Sequence, residues 1–400
     1  MQRLNKFSDI KPYLSILLIS LTVGLCGGVV GAVFFHLFTA VTNLRTANPW
    51  LVFLLPIGGL LTVKIYKLLK TEGLSTDSVL KSLKGEKRVS PWLLPAVFVS
   101  SLLTHLFGGS AGKEGAALQM GGAVSSLLSN KLKVDESKSD IGTVCGMSAF
   151  FSALFGTPLG ASVFAAEVVF LKKQSYKWLI PSLLSGFTAF LISGFLGVHP
   201  ERFSLSLPAF DFSLFWKTGV IILVCSAVCI LFVFTLEKTK ELFGNFFKNP
   251  YLRIAVGGGL IILLTVIEGS GDYNGGGMNI VEKIFSHNTV KYEAFLLKII
   301  FTAITVAVGF KGGEIVPTFF IGATSGGALA LLLGVPVPFG AALGMAVLFS
   351  GATNCSLSAI LLCGEMFGFK GIAYFAVASA VAHLLTGKNR LYNVKTRTNA

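Results

Sequence analysis

Carboxylates are scarce in this chain, and so are metal-binding side chains. Of its 400 residues, 19 are Asp or Glu against 33 Lys or Arg, and five are histidine. The six cysteines show no CxxC spacing and lie in apolar segments, where we expect small buried packing residues: Cys26, Cys145, Cys225, Cys229, Cys355 and Cys363. This pattern gives no metal-ligand spacing, so no metal, cofactor or disulfide is predicted.

Long polar stretches are missing as well, which excludes a chain made of ordinary soluble domains. Hydrophobic residues make up 53% of the sequence and charged residues 13%, and the mean hydropathy is +0.75. Apolar runs of about 20 residues recur: Tyr13 to Phe38, Trp50 to Leu69, Pro91 to Phe107, Trp178 to Val198, Phe215 to Phe234 and Phe295 to Val308. We predict an all-α, multi-pass integral membrane protein whose first run is retained rather than cleaved.

The excess of positive charge, +14 at neutral pH, is confined to short segments. Lys and Arg gather between the apolar runs and at the chain ends: Lys81 to Arg88, Lys131 to Lys138, Lys172 to Lys177, Lys238 to Lys248 and Lys388 to Arg397. Such loops are retained on the cytoplasmic side, so both termini are expected in the cytoplasm of a cell-membrane protein. The charge suits a surface facing anionic lipid or an attraction for anions, and nucleic acid is not expected as a partner.

Glycine, in contrast, is abundant, with 45 residues, and it clusters inside apolar regions. Gly108 to Gly122, Gly269 to Gly277 and Gly309 to Gly326 each interrupt an apolar run. Irregular backbone cannot face lipid, so these segments are expected to be buried in protein or to line a cavity. The sequence therefore predicts broken helices.

Three features recur in the same order in the two halves of the chain. "EGLSTDSVLKSL" from Glu72 resembles "EGSGDYNGGGMNIVEKI" from Glu268, and "GKEGAALQMGG" around Glu114 is echoed by "GGEIVPTFFIGA" two hundred residues later. "TPLGASVFAAEVV" likewise pairs with "NCSLSAILLCGEMF". Paired, broken segments of this kind indicate a transporter site near the bilayer midplane. These residues leave open whether the repeat is inverted or parallel.

Glu114 is the candidate gating residue. The run from Ala116 onward favours a helix, whose first N–H groups are unsatisfied and attract anions. The Glu114 carboxylate lies beside them as a tethered anion, and protonation would release the site to a diffusing one. The alternative is that Glu114 is only a helix N-terminal charge, paired with Lys113.

The remaining acidic residues of the repeat are expected to be structural. Glu314 precedes a helix start marked by Pro317, and the amides there would close the other side of the site. Glu167 and Glu365 follow small-residue helices. We expect these two carboxylates to bond a neighbouring helix end or to face the cytoplasm.

These motifs resemble those of the CLC family of chloride channels and anion/proton antiporters. "GKEGAALQMGG" resembles the G-R/K-E-G-P signature, with Glu114 as the gating glutamate and Ala116 in place of proline. "GGEIVP" is similar to G-x-F-x-P, with Ile315 at the phenylalanine, and "TGKNRLYN" resembles the segment of the central tyrosine, which is Tyr392 here. "EGLSTD" lies where the family has its G-S-G-I-P motif, and Leu74 or Ser75 occupies the serine position.

The resemblance implies a fold and an anion site. The fold is a homodimer with one pore per subunit, each built from two inverted halves, about 13–200 and 213–395, of tilted and broken helices. Residues 1–400 would form one transmembrane domain, and no cytoplasmic regulatory domain is expected. The implied anion-binding residues are Leu74, Ser75, Gly112, Gly115, Ala116, Ile315, Val316 and Tyr392.

The predicted function is halide/proton antiport coupled by Glu114, with a passive chloride channel as the alternative. Val168 replaces the internal proton-transfer glutamate of many chloride antiporters. The fluoride/proton antiporters of the family also lack that glutamate, so chloride and fluoride both remain candidates. An intramembrane enzyme would need a nucleophile or metal beside Glu114 or Glu167, and a cation transporter conflicts with helix N-termini at the site. We therefore predict that the protein is not an enzyme.

Overall fold

The computed structural model describes residues 5–83, 89–131, 136–169, 178–209, 211–387 and 391–392, with the backbone alone for residues 5–13, 130 and 136–139. These residues form sixteen α-helices: α1 Asn5–Ala47, α2 Leu55–Leu68, α3 Thr76–Ser82, α4 Leu93–Leu106, α5 Glu114–Lys131, α6 Glu136–Phe155, α7 Pro158–Glu167, α8 Leu179–Phe195, α9 Phe212–Phe246, α10 Pro250–Glu268, α11 Met278–His287, α12 Ala294–Val308, α13 Ile315–Leu333, α14 Val337–Thr353, α15 Ser356–Phe367 and α16 Ile372–Thr386. Two 3₁₀ helices, Pro49–Leu54 and Phe369–Gly371, precede α2 and α16.

Six helical stretches of the described chain are long and apolar enough to cross a membrane: Leu14–Ala47, Pro49–Leu68, Phe212–Phe246, Pro250–Glu268, Ile315–Leu333 and Phe369–Thr386. They differ in how much protein surrounds them. The apolar part of α13 is 83% buried, whereas that of α10 is 22% buried. The predicted multi-pass, all-helical membrane fold is confirmed, and α13 lies in its interior.

The interior helices pack by direct backbone contact between glycines. Gly121 of α5 lies against Gly146 of α6, so that a Cβ on either would meet the other's carbonyl group. In the second half, α13 and α14 pack in the same way through Gly322 against Gly344 and Gly326 against Gly340. Small residues allow this close approach of helices in membranes, and its recurrence shows that the sequence repeat is also structural.

Glu167 and Glu365 exchange helix caps between the two halves. The Glu365 carboxylate accepts hydrogen bonds from the first amides of α7, at 3.0 and 2.8 Å, and the Glu167 carboxylate accepts from the first amides of α15, at 3.1 and 2.8 Å. Each carboxylate thus satisfies helix N–H groups that lack an intrahelical partner. The expectation that they bond a neighbouring helix end is confirmed. Their reciprocity relates the halves by an approximate twofold axis, as in an inverted repeat.

The broken segments leave α4 and α12 through left-handed glycines. Gly108 follows α4 with φ +86°, and Gly309 follows α12 with φ +108°, a region that residues with a Cβ rarely adopt. The chain then re-enters helix at Glu114 and at Ile315. The predicted start of α5 at Ala116 was wrong by two residues, because Glu114 itself has helical backbone and is the first residue of the helix.

Candidate functional site

The two broken segments meet in a short antiparallel bridge. The Gly112 amide donates to the Gly313 carbonyl at 2.7 Å, and the Gly313 amide donates to the Gly112 carbonyl at 2.8 Å. Gly115 approaches the backbone of Gly312 so closely that a Cβ would collide with the Gly312 carbonyl. The N-terminal ends of α5 and α13 therefore lie side by side, and both carry partial positive charge.

Glu114 lies fully buried between these ends. Its Oε1 accepts from the Lys113 amide at 2.9 Å, and its Oε2 accepts from the Val316 amide in the first turn of α13 at 3.1 Å. One carboxylate thus accepts hydrogen bonds from amides in both halves of the chain. Hydrogen bonds to an ionised acceptor are stronger than neutral ones, so these two amides stabilise the ionised carboxylate.

Lys113 does not form an ion pair with Glu114. Its ammonium group donates to Glu201 Oε1 at 2.9 Å and lies 4.9 Å from the ring centre of Phe35 and 5.1 Å from that of Phe155. The residue is only 5% exposed. Glu114 is a helix N-terminal charge, as the alternative expected, but among the described residues its carboxylate is bonded to amides and to no cationic side chain.

Tyr392 lies near this pairing. It is buried, and its hydroxyl has no hydrogen-bond partner among the described residues. The backbone next to it is anchored by the Leu391 amide, which donates to the Ala352 carbonyl at 2.8 Å. A buried hydroxyl without a partner in the described chain is available to an anion.

Leu74 and Ser75 lie at the start of α3, beside α5 rather than against Glu114. Ser75 precedes the helix, and its amide donates to Ser78 Oγ at 3.2 Å. Gln119 of α5 holds α3 in place through a 3.3 Å hydrogen bond to Thr76. No hydrogen bond between this segment and Glu114 occurs in the described chain.

The other predicted anion-binding residues form the first turns of α5 and α13. Gly112 and Gly115 take part in the segment pairing, and Ala116, Ile315 and Val316 are buried. Among these predicted anion-binding residues, Val316 is the one whose amide is seen bonded to the Glu114 carboxylate in the described chain. The structure therefore brings together the glycine segments, Glu114, the start of α13 and Tyr392, with the start of α3 at the side.

Sequence patterns did not reveal the residues that support this site from other segments. Glu201, the partner of Lys113, lies in an irregular loop far along the chain with no motif around it. His105 holds the glycine segment, because its two ring nitrogens lie 2.8 Å from the Ser101 and Ala111 carbonyls. Glu314 lies 3.7 Å from Lys240 at the end of α9. The sequence left open whether His105 packs in the helix bundle or relays protons.

Known proteins share both the sequence and this architecture. Residues 58–387 match the profile of a family described as voltage gated chloride channel. A solved structure described as a CLC-type fluoride/proton antiporter is 33% identical, with 95% of this chain and 97% of that chain covered and a TM-score of 0.90. The chain belongs to the CLC family of voltage-gated chloride channels. The family resemblance predicted from the motifs is confirmed.

Two further similarities agree with this membership. A chloride/fluoride channel protein of Pseudomonas syringae pv. tomato is 28% identical over 97% of this chain and 88% of its own length. The structure of a slow cyanobacterial Cl⁻/H⁺ antiporter is 22% identical, with 93% and 94% of the chains covered and a TM-score of 0.79. The latter supports the fold alone. This CLC chain thus belongs to a family of ion channels and transporters, in line with the predicted non-enzyme class.

Proposed function

We propose that this protein exchanges a halide for protons across the cell membrane, with Glu114 as the gate. The observation that carries the proposal is the Glu114 carboxylate bonded to the Val316 amide of the opposite half. While ionised, it occupies the amides that would bind a halide. When protonated, it loses the charge that favours this position, and a diffusing anion takes its place. Binding of the anion and of the proton are thereby linked.

The proposed anion site consists of the first turns of α5 and α13 together with Tyr392, in a single transmembrane domain. Backbone amides and one phenolic hydroxyl bind a small anion without a full counter-charge, which suits release as well as binding. The residues are Gly112, Gly115, Ala116, Ile315, Val316 and Tyr392, with Leu74 or Ser75 on the α3 side. The halves within the domain are residues 13–200 and 213–395.

Fluoride is the favoured halide, and chloride is the alternative. The relatives with 28% and 33% identity both carry fluoride in their descriptions. We further propose a homodimer with one pore per subunit, surrounded by lipid, with both termini in the cytoplasm. The basic chain ends support that orientation.

The test is ion flux in liposomes that contain the full chain and no other transporter. Fluoride or chloride is the sole permeant anion, and internal pH and anion efflux are recorded under a proton gradient. We expect anion movement to drive proton movement in the opposite direction, with fluoride faster than chloride. Proton movement that ignores the anion gradient would leave the passive channel as the function.

Glu114→Gln is the decisive variant, because glutamine keeps the shape but cannot exchange a proton. We expect anion flux without coupled proton movement. The matched control is Glu241→Gln, which removes a carboxylate from the exposed Lys238–Glu241 pair on α9 and is expected to behave as the unmodified protein. Proton coupling that survives in Glu114→Gln would refute the assignment of the gate.

A further inference from the structure

A second cationic region lies beside the gate and plays no part in the exchange described above. A cavity of about 250 Å³ opens between the end of α1, the 3₁₀ helix Pro49–Leu54, the end of α10 and segment 269–279. Its polar lining consists of Arg45, Thr265, Ser270, Asp272, Asn274 and Asn279. The cavity is therefore polar, and it has room for an ion with part of its water shell.

Arg45 brings a positive charge to this cavity without a counter-ion. Its Nε is buried and has no hydrogen-bond partner among the described residues, and no described carboxylate forms an ion pair with its guanidinium group. Burying a cationic group without a partner is costly, and native structures normally supply an anion or an acceptor. Arg45 thus lines the cavity without a carboxylate partner in the described chain, and the part of its side chain that faces the cavity is available to an anion.

Lys298 lies behind the cavity wall and is bonded to backbone rather than to a carboxylate. It is fully buried, and its side-chain amine donates to two carbonyl groups, those of Tyr273 at 3.1 Å and Gly275 at 2.6 Å. These bonds hold the backbone of segment 269–279, so Lys298 supports the cavity wall, and the positive charge of the lining comes from Arg45.

The acidic groups near the cavity already have partners. Asp272, which lines it, accepts from Lys291 at 3.0 Å. Glu268, at the end of α10, accepts from the amides of Ser270 and Gly271 at 3.0 and 2.8 Å and from the Ser270 hydroxyl. Neither carboxylate is bonded to Arg45. The charge of Asp272 is offset by Lys291, and Glu268 is bonded to neutral donors among the described residues, so Arg45 is the cation of the cavity lining that has no carboxylate bonded to it.

The segment behind the cavity also contacts the backbone around Glu114. Gly275 lies against the Arg45 guanidinium group, and its amide donates to the Gly109 carbonyl at 3.1 Å. The next residue, Gly276, faces the side chain of Val316, whose amide holds Glu114. An anion at Arg45 would therefore be separated from the gating segment by the thickness of one loop.

We propose that this cavity is a second anion-binding site, which takes a small inorganic anion such as a halide on the Arg45 guanidinium group. Binding there requires only the charges and the cavity described above. Its role as a waiting position for anions that approach Glu114 rests on the proposed exchange function. Arg45 lies at the end of α1 remote from the basic N-terminus, so this position faces the outer side when the termini are cytoplasmic.

Bromide is the probe for the site, because its anomalous scattering identifies it in crystals. Crystals of the full chain grown without other halides are soaked in bromide, for the unmodified protein and for Arg45→Gln. We expect an anomalous peak in the cavity beside the Arg45 side chain that is lost in Arg45→Gln. A cavity without a peak in the unmodified protein at saturating bromide would overturn the proposal, and this arm requires no variant to fold.

Bromide binding in solution supplies the second arm, measured by calorimetry in a neutral detergent so that no anionic lipid is present. In the Glu114→Gln background, we expect Arg45→Gln to weaken one of two binding events by about tenfold, in line with the loss of a charge-assisted hydrogen bond, and Arg45→Lys to restore part of it. Lys217→Gln, which removes a cation outside this cavity, is expected to change neither event. Equal weakening by Lys217→Gln and Arg45→Gln would refute a defined site.

The outcomes separate this proposal from the proposed exchange function. A bromide peak at Arg45 in a protein that fails to couple protons in liposomes would preserve the site and refute the exchanger. Coupled exchange with an empty Arg45 cavity would preserve the exchanger and refute the site.

Discussion

The glycine segments of the two halves have the same backbone arrangement and different side-chain arrangements. Gly112 and Gly313 bond each other symmetrically, and Gly108 and Gly309 leave the preceding helices in the same left-handed conformation. The acidic residues differ. Glu114 is fully buried, whereas the side chain of Glu314 is 15% exposed and lies 3.7 Å from Lys240.

This difference gives a symmetric backbone pairing one internal carboxylate rather than two. The pairing supplies two helix ends, and glycines on both sides allow the close backbone contact. In the described chain, the Glu114 carboxylate bonds an amide of the other half and the Glu314 carboxylate does not. Under the proposed function, the blocking group therefore belongs to the first half alone.

The largest expected difference between the two halves is the effect of removing each carboxylate on the pH dependence of anion flux. Glu114→Ala leaves the Val316 amide without its internal acceptor, so we expect anion flux that no longer depends on pH. In the unmodified protein, flux should rise as pH falls, because protonation of Glu114 frees the site. Glu314→Ala should keep this pH dependence. Anion efflux from liposomes between acidic and neutral pH measures both, and a pH-independent flux in Glu314→Ala would contradict the assignment of the block to Glu114.

Adding one methyl group tests the backbone contact between the two glycine segments, which is the feature that both halves share. A Cβ at Gly115 would meet the backbone of Gly312 and Gly313, which cannot shift cheaply. We expect Gly115→Ala to destabilise the protein by about 3 kcal/mol and to abolish transport, with Gly312→Ala similar in direction. The matched control is Gly259→Ala in α10, where a Cβ meets nothing within 4 Å and better helix propensity should add up to about 1 kcal/mol.

Thermal unfolding in detergent, followed by size-exclusion chromatography, orders these variants. A Gly115→Ala protein as stable as Gly259→Ala would show that the two segments do not need their direct backbone contact.

The sequence predicted the parts of the site that lie close together along the chain. Glycine clusters inside apolar runs and the order of the motifs located Glu114 and the start of α13 correctly. Contacts that depend on distant, irregular segments were not predictable, as the Lys113–Glu201 pair and the Arg45 cavity show. The reciprocal caps of Glu167 and Glu365 lie between these cases. Their residue types favoured bonding to a helix end, but only the fold identified which end.

The lysines of the two glycine segments give a smaller contrast. Lys113 is paired with Glu201, whereas Lys311 lies 4.1 Å from the ring centre of Tyr66 and has no carboxylate partner in the described chain. Glu201→Gln leaves Lys113 buried without a counter-charge, so we expect a loss of about 2 kcal/mol in the free energy of unfolding, since Glu201 is itself partly solvated. Tyr66→Leu removes the ring from Lys311 and should cost about 1 kcal/mol in this contact.

Each of these two variants has a matched control, Tyr66→Phe for Tyr66→Leu and Glu241→Gln for Glu201→Gln. Tyr66→Phe keeps the ring and should retain that contact, and Glu241→Gln breaks a fully exposed ion pair, which should leave the stability unchanged. A Glu201→Gln protein as stable as Glu241→Gln would show that Lys113 needs no counter-charge.

The reciprocal caps are expected to give smaller effects than the Lys113–Glu201 pair, and they test the symmetry of the two halves. Glu365→Ala removes a 7% exposed carboxylate from the start of α7, and we expect a loss of about 1.5 kcal/mol. Glu167→Ala removes the equivalent cap from α15, where Leu357 is exposed and water can replace the carboxylate, so the loss should stay below about 1 kcal/mol. Thermal unfolding of both variants and of the double variant measures the difference.

Because the caps lie at opposite ends of one antiparallel pair of helices, the double variant should lose close to the sum of the single losses. A much larger loss would mean that the two caps stabilise the junction of the halves jointly.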